Sequence, residues 1–287
     1  MQKRQVDVVV IGAGTAGMTA YKAAKRSGKN VVLVEANQYG TTCARVGCMP
    51  SKLLIAAADA ASNAAKSHQF GVFVDSVRID GKAVMQRVRD ERDRFVSFVL
   101  KDIASFPELD KVKGKAYFVD SHTIQVDQHT QLQTESVVLA TGSEPFVPDS
   151  LLGAEDRFIP TDDVFYWEDL PKKLVIVGAG VIGLELGVAL AQLGVEVTVL
   201  NRGQRIAGIE DPEVLTVAQD LIGQTLHLEL GARVNRAEVK HNQVLVHYEQ
   251  DGHQKQLSAD FVLGATGRRP VVANLGLENT AAQLDDK

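Results

Sequence analysis

Cysteine is scarce in this chain: 287 residues contain two, Cys43 and Cys48. Two cannot build a disulfide framework, and no histidine lies near them to complete the roughly four Cys/His ligands of a structural zinc site. No metal is therefore expected. Long apolar runs are missing as well. The run Val8 to Ile11 is far too short for a membrane span or a signal-peptide core. Nor is there an excess of basic charge. The formal net charge of −5 gives no electrostatic pull towards nucleic acid or an anionic membrane. The expected compartment is the cytosol, where a cysteine pair reads as catalytic or metal-binding rather than structural. What remains is an ordinary globular composition, 45% apolar and 23% charged, long enough for two domains.

One pattern is used twice. "VVVIGAGTAGMTAYKAAKRSGKNVVLVE" (8–35) aligns without a gap to "LVIVGAGVIGLELGVALAQLGVEVTVLN" (174–201). Each copy is an apolar run, G-x-G-x-x-G, a helical stretch and a second apolar run, which predicts strand, tight turn, helix, strand. In that context the glycines have separate tasks. Gly12 and Gly178 permit the sharp turn, and Gly14 and Gly180 let a pyrophosphate approach the backbone. Gly17 and Gly183 let helix and strand pack closely. The phosphates then meet free N–H groups at the positive end of the helix.

The residue ending the second strand separates the two sites. Glu35 can accept hydrogen bonds from a ribose diol. Its counterpart is Asn201, followed by Arg202 and, nearby, Arg205. A missing acid with an added guanidinium suits a 2′-phosphate, so the second site favours NADP over NAD.

Between the copies, 82–106 predicts a long helix with Val84, Val88, Phe95, Val99 and Ile103 on its apolar face. "RVRDERDR" (87–94) reads as a solvated face. The alanine-rich stretch 53–66 also predicts helix. Alternating runs at 115–119, 122–126, 243–248 and 255–257 predict small antiparallel strands. "VVLATGSEP" (137–145) is echoed by "VLGATGRRP" (262–270), with small residues where backbone could pass a bound cofactor. Pro145, Pro148, Pro160 and Pro171 cluster where periodicity is weak, and a linker is expected there.

Two dinucleotide folds with C-x-x-x-x-C-x-P-S-K between them resemble the pyridine nucleotide–disulfide oxidoreductases, from Val6 to the last residues. "GTTCARVGCMPSK" (40–52) and "GLELG" (183–187) look like the dihydrolipoamide dehydrogenase branch. The resemblance implies an α/β fold of two Rossmann-like domains with parallel sheets and small antiparallel meanders. Residues 1–152, rejoined incompletely by 266–287, would hold FAD, and 153–265 would hold NAD(P). It implies FAD contacts from Gly12, Gly14, Gly17, Glu35, Thr42, Lys52, Ala116, Thr141 and Gly142. NAD(P) would meet Gly178, Gly180, Gly183, Asn201, Arg202 and Gly267. Lys52 and Glu185 would form an ion pair beside the reactive flavin nitrogen. Cys43 and Cys48, expected together on a first helical turn, would be the redox couple. Electrons would pass from NAD(P)H through FAD to Cys48, and Cys43 would exchange with an outside disulfide.

The chain departs from the family pattern after Gly267. The family's Gly-Asp strand and its C-terminal interface domain, with the dimer surface and a His-Glu acid–base pair, are not found. None of the seven histidines has Glu five positions on. A truncated form is expected, with FAD held incompletely and disulfide exchange lacking its base. A homodimer is implied only for full-length relatives, and the partner would be a small-molecule or protein-bound disulfide or dithiol. Thr41 replaces a usual glycine, and Tyr21 a frequent alanine. The alternative is a dinucleotide-binding module without catalysis. A thioredoxin-reductase-like enzyme is disfavoured, because its C-x-x-C would lie in the second nucleotide domain.

Overall fold

The computed structural model describes residues 1–285. In chain order the first elements are β1 (Gln2–Ile11), α1 (Thr15–Arg26), β2 (Val31–Glu35), α2 (Thr42–Val46), α3 (Cys48–Lys66) and α4 (Gly81–Ala104). Next come β3 (Lys111–Lys113), β4 (Ala116–Asp120), β5 (Thr123–Val126), β6 (Thr130–Leu139), β7 (Ser143–Pro145) and β8 (Phe158–Pro160). The rest are β9 (Lys173–Val177), α5 (Val181–Gln192), β10 (Glu196–Asn201), α6 (Pro212–Gly223), β11 (His227–Leu230), β12 (Arg233–Lys240), β13 (Gln243–Gln250), β14 (His253–Ala259), β15 (Phe261–Gly264) and β16 (Arg268–Pro270).

Two compact units result, Met1–Arg45 with Asp93–Glu144 and Pro270–Lys287, and Val46–Arg92 with Pro145–Arg269. The first is built on a six-stranded sheet, β3-β2-β1-β6-β5-β4. Its β1, β2, β3 and β6 are parallel, whereas β4, β5 and β6 form an antiparallel meander. Val31 to Val34 are buried on both faces, as a central parallel strand requires. Val10, Met18, Tyr21, Leu33, Ile103 and Phe106 pack into one cluster on that sheet.

The second unit has a five-stranded parallel sheet, β11-β10-β9-β15-β8. An antiparallel sheet, β12-β13-β14, accompanies it. Helix α5 buries Gly183, Leu184, Leu186, Gly187, Ala189 and Leu190. Helix α6 starts where Asp211 accepts from the backbone N–H groups of Glu213 and Val214, with Pro212 in the first turn. The α/β class, the two parallel sheets and the antiparallel strands follow the sequence expectation. Among the described residues no helix is long and apolar enough to cross a membrane.

The boundaries fall elsewhere than expected. Residues 46–92 belong to the second unit, because Leu54, Ala58, Met85 and Val88 are buried in the same cluster as Ile176 and Leu186. The chain crosses at 144/145 and 269/270 rather than 152/153 and 265/266. The last two residues of the expected 266–287 return lie outside the described residues. The proline-bearing segment is folded rather than a linker, with Leu151, Ala154, Val164 and Phe165 buried. Within 87–94, Arg92 is 7% exposed, not solvated. It donates to the Phe165 carbonyl at 3.0 Å and lies over the Tyr166 ring.

Candidate nucleotide and dithiol sites

Each unit carries the same turn. The Gly12 N–H donates to the Val34 carbonyl at 2.8 Å, and the Gly178 N–H to the Leu200 carbonyl at 2.8 Å. Both glycines have positive φ, +104° and +110°. A Cβ on Gly12 would sit 2.2 Å from the Ala140 carbonyl oxygen, and one on Gly178 would sit 2.4 Å from that of Ala265. The two Ala-Thr-Gly echoes are thus the strand ends against which the turns close. Ala140 N–H donates to Ile11 at 2.8 Å, and Ala265 N–H to Val177 at 2.9 Å. Gly17 and Gly183 face the turn backbone, where a Cβ would approach the Gly12 and Gly178 carbonyl oxygens to 1.8 and 2.2 Å.

Gly14 and Gly180 are different. They cap α1 and α5, and a Cβ on either would meet nothing within 4 Å. Open space at a helix N-terminus, with unpaired backbone N–H groups, is where a pyrophosphate fits.

The strand-end residues also match atom for atom. Glu35 Oε2 accepts from Ala13 N–H at 2.7 Å, and Asn201 Oδ1 from Ala179 N–H at 3.1 Å. Glu35 Oε1 accepts from Asn37 N–H at 2.7 Å. The Asn201 amide instead donates to the Gly203 and Arg205 carbonyls, at 2.9 and 3.0 Å. A cavity of about 570 Å³ adjoins the second turn, lined by Gly178, Gly180, Asn201, Arg202, Arg233 and Gly267 among others. Arg205, singled out in the sequence, is not among its lining residues. In the first unit, Thr141 follows the strand end beside Gly12, Gly142 has φ +72°, and Ala116 opens β4, buried.

The cysteine segment differs from expectation. Cys43 and Cys48 do not share a helical turn. Cys43 lies in the five-residue α2, and Cys48 is the first residue of α3. Gly47, at φ −126° and ψ −119°, breaks the helix between them. Pro50, lacking an N–H, is tolerated in the first turn of α3. Cys48 is exposed and Cys43 half-buried. Thr42 starts α2 and is exposed.

Within the second unit, α3 and α5 bring together residues 133 positions apart: Lys52 Nζ lies 2.5 Å from Glu185 Oε1. Sequence reasoning missed the third member. Ser51, buried, donates its hydroxyl to the same Glu185 oxygen at 2.8 Å, with the Cys48 carbonyl 3.2 Å away. The Ser of P-S-K was the available signal. Arg233 was missed because it lies in β12, a strand without a motif.

A family model for pyridine nucleotide-disulphide oxidoreductases matches residues 6–287. The chain belongs to this family. Dihydrolipoyl dehydrogenase of Staphylococcus aureus is 34% identical over 99% of the chain, and a mercuric reductase from the same organism is 30% identical over 98%. The chain spans 61% of the former's length and 51% of the latter's. Among solved structures, a Cu(II) complex of the HOCl-induced flavoprotein disulfide reductase RclA from Escherichia coli matches 99% of the chain. Its TM-score is 0.84 at 26% identity, with 61% of that protein covered. Family membership brings a flavin and a pyridine nucleotide into the picture, and the two open cradles suit them.

Proposed function

We propose that this chain is the nucleotide-binding and dithiol-bearing part of an FAD-dependent NAD(P)H:disulfide/dithiol oxidoreductase of the dihydrolipoamide dehydrogenase type. The Lys52–Glu185 contact carries the reading. An exposed ion pair contributes only about 0–1 kcal/mol to stability, and the Lys52 side chain is 66% exposed. Its ammonium is nonetheless aimed by a carboxylate that a buried serine also holds, one turn from Cys48. That is the arrangement expected of a positioned cation in a redox site rather than of a stabilising pair.

In this reading Gly12, Gly14, Gly17, Glu35, Thr42, Ala116, Thr141 and Gly142 bind FAD. Gly178, Gly180, Gly183, Asn201, Arg202 and Gly267 bind the nicotinamide nucleotide. Lys52, fixed by Glu185, would be the cation that the flavin meets when bound. When bound, a flavin accepts hydride from a nicotinamide and delivers two electrons to a disulfide. Those electrons and two protons convert a Cys43–Cys48 disulfide to two thiols. The Cys43 thiol then exchanges with a small-molecule or protein-bound disulfide, which leaves as a dithiol while Cys43 and Cys48 re-form their bond. A dithiol substrate runs the same steps in reverse. The Asn201-Arg202 pair, in place of an acid, favours NADP. Cytoplasmic action belongs to the same proposal, and assembly as a homodimer is proposed for the full-length protein rather than for this chain.

Anaerobic titration of the FAD-loaded protein with NADPH and NADH tests it. Bleaching of the flavin followed by a long-wavelength thiolate-to-flavin band, lost in Cys48→Ser, is the expected result. Nucleotide binding with no spectral change would identify a binding module without catalysis.

A further inference from the structure

The rim of the cavity in the second unit holds two guanidiniums, Arg202 and Arg233, and no acid lines it. Neither side chain has a hydrogen-bond or ion-pair partner among the described residues. Cations on a concave surface whose lining holds no acid make a site for an anion; Glu249 stands opposite Arg233 in the β12–β13 pair but outside that lining. The backbone holds them side by side. The Ala232 N–H donates to the Asn201 carbonyl at 2.9 Å, and the Gly231 N–H to the Gly203 carbonyl at 3.4 Å, so the start of β12 is stitched to the loop after β10. Inside that loop the Asn201 amide ties down the Gly203 and Arg205 carbonyls. The neutral amide does the structural work that Glu35 does in the first unit, without a negative charge facing the cavity.

We propose that Arg233 is the second half of a clamp for the 2′-phosphate of NADP, with Arg202 the first. This rests on reading the second unit as the nicotinamide nucleotide site, and it adds a residue from a separate sheet to that site. Two planar forks from different segments can each bond two phosphate oxygens, which a single lysine-like point charge cannot. The pyrophosphate is left to the α5 N-terminus, where neither arginine is needed.

The test is calorimetric binding of adenosine 2′,5′-bisphosphate and 5′-AMP to the FAD-loaded wild type, Arg233→Ala and Arg233→Lys. The wild type is expected to prefer the bisphosphate. Arg233→Ala should lose about tenfold or more in bisphosphate affinity, as removing a charged hydrogen bond implies, with 5′-AMP affinity unchanged within about twofold. Arg233→Lys should fall between. A wild-type preference that Arg233→Ala leaves intact, or an equal loss for both ligands, would overturn the assignment of Arg233 while leaving the NADP site standing. No wild-type preference would overturn both together. Arg233 is exposed on its strand, and unchanged thermal melting of the variants separates binding loss from misfolding.

Discussion

Thr41 takes a backbone conformation that glycine would adopt without strain. Its φ is +53°, in the left-handed region, where a β-branched residue costs roughly 1–2 kcal/mol. The hydroxyl compensates: Thr41 Oγ1 accepts from Ala44 N–H at 3.1 Å and caps α2. Asn can do both jobs. Thr41→Asn should therefore leave stability equal or raised, and Thr41→Val should lower it by about 1–2 kcal/mol through loss of the cap, as urea denaturation would show. Tyr21 is likewise not a passive substitution. Its hydroxyl donates to Asp110 at 2.7 Å, its ring stacks on Phe106, and Lys25 pairs with the same carboxylate at 2.9 Å. Burial, then the hydrogen bond to Asp110 and its charge, pushes the phenol well above its ordinary range. A raised pKa means that the phenol's contribution is intact below about pH 10, where an exposed tyrosine ionises, and is lost as pH rises beyond it. Tyr21→Phe should cost about 1 kcal/mol near neutrality and flatten the alkaline loss of stability, measured by denaturation from pH 8 to 11.

The strand–turn–helix unit shows how two glycines three residues apart, Gly180 and Gly183, do opposite things: the first faces open space and the second a backbone carbonyl. Gly183 has a carbonyl 2.2 Å from where its Cβ would stand and the Ala265 Cβ at 3.0 Å. Gly183→Ala must push α5 away from β9, and a cost of about 2 kcal/mol or more is expected, visible as a drop in melting temperature. The helix itself would gain from alanine, so the sign of the result isolates packing from propensity. The cysteine segment makes a related point. Helical propensity runs through Cys43 and Cys48 without an obvious stop, yet Gly47 interrupts it. Glycine's freedom is visible in the sequence, but whether the chain uses it is decided by what the flanking pieces bury. Ala44 and Leu54 are both buried, in separate compact units.

Duplication of the nucleotide turn predicts two cradles that can be emptied one at a time. A methyl on Gly14 or Gly180 would enter open space, so neither Gly14→Ala nor Gly180→Ala should disturb folding. Gly14→Ala should weaken FAD retention while sparing 2′,5′-bisphosphate binding, and Gly180→Ala should do the reverse. Each loss should be about tenfold or more if a backbone–phosphate contact is blocked. Flavin absorbance after gel filtration and calorimetry read the two sites separately. Equal effects of both variants on both ligands would mean that the two turns are not separate sites.

The amino-acid order by itself determined the two parallel sheets, the glycine turns, the strand-end Glu35 and Asn201, and the cysteine motif. These are local patterns of period and spacing, and their chemistry follows from neighbours within about 30 residues. Only the tertiary structure decided that 46–92 packs with the second unit, that Arg92 is buried, and that Ser51 joins Lys52 on Glu185. The same holds for Arg233 lining the cavity with Arg202. Each of these depends on a contact between segments far apart along the chain. Such contacts are chosen by which surfaces bury best together, and no local spacing records that choice.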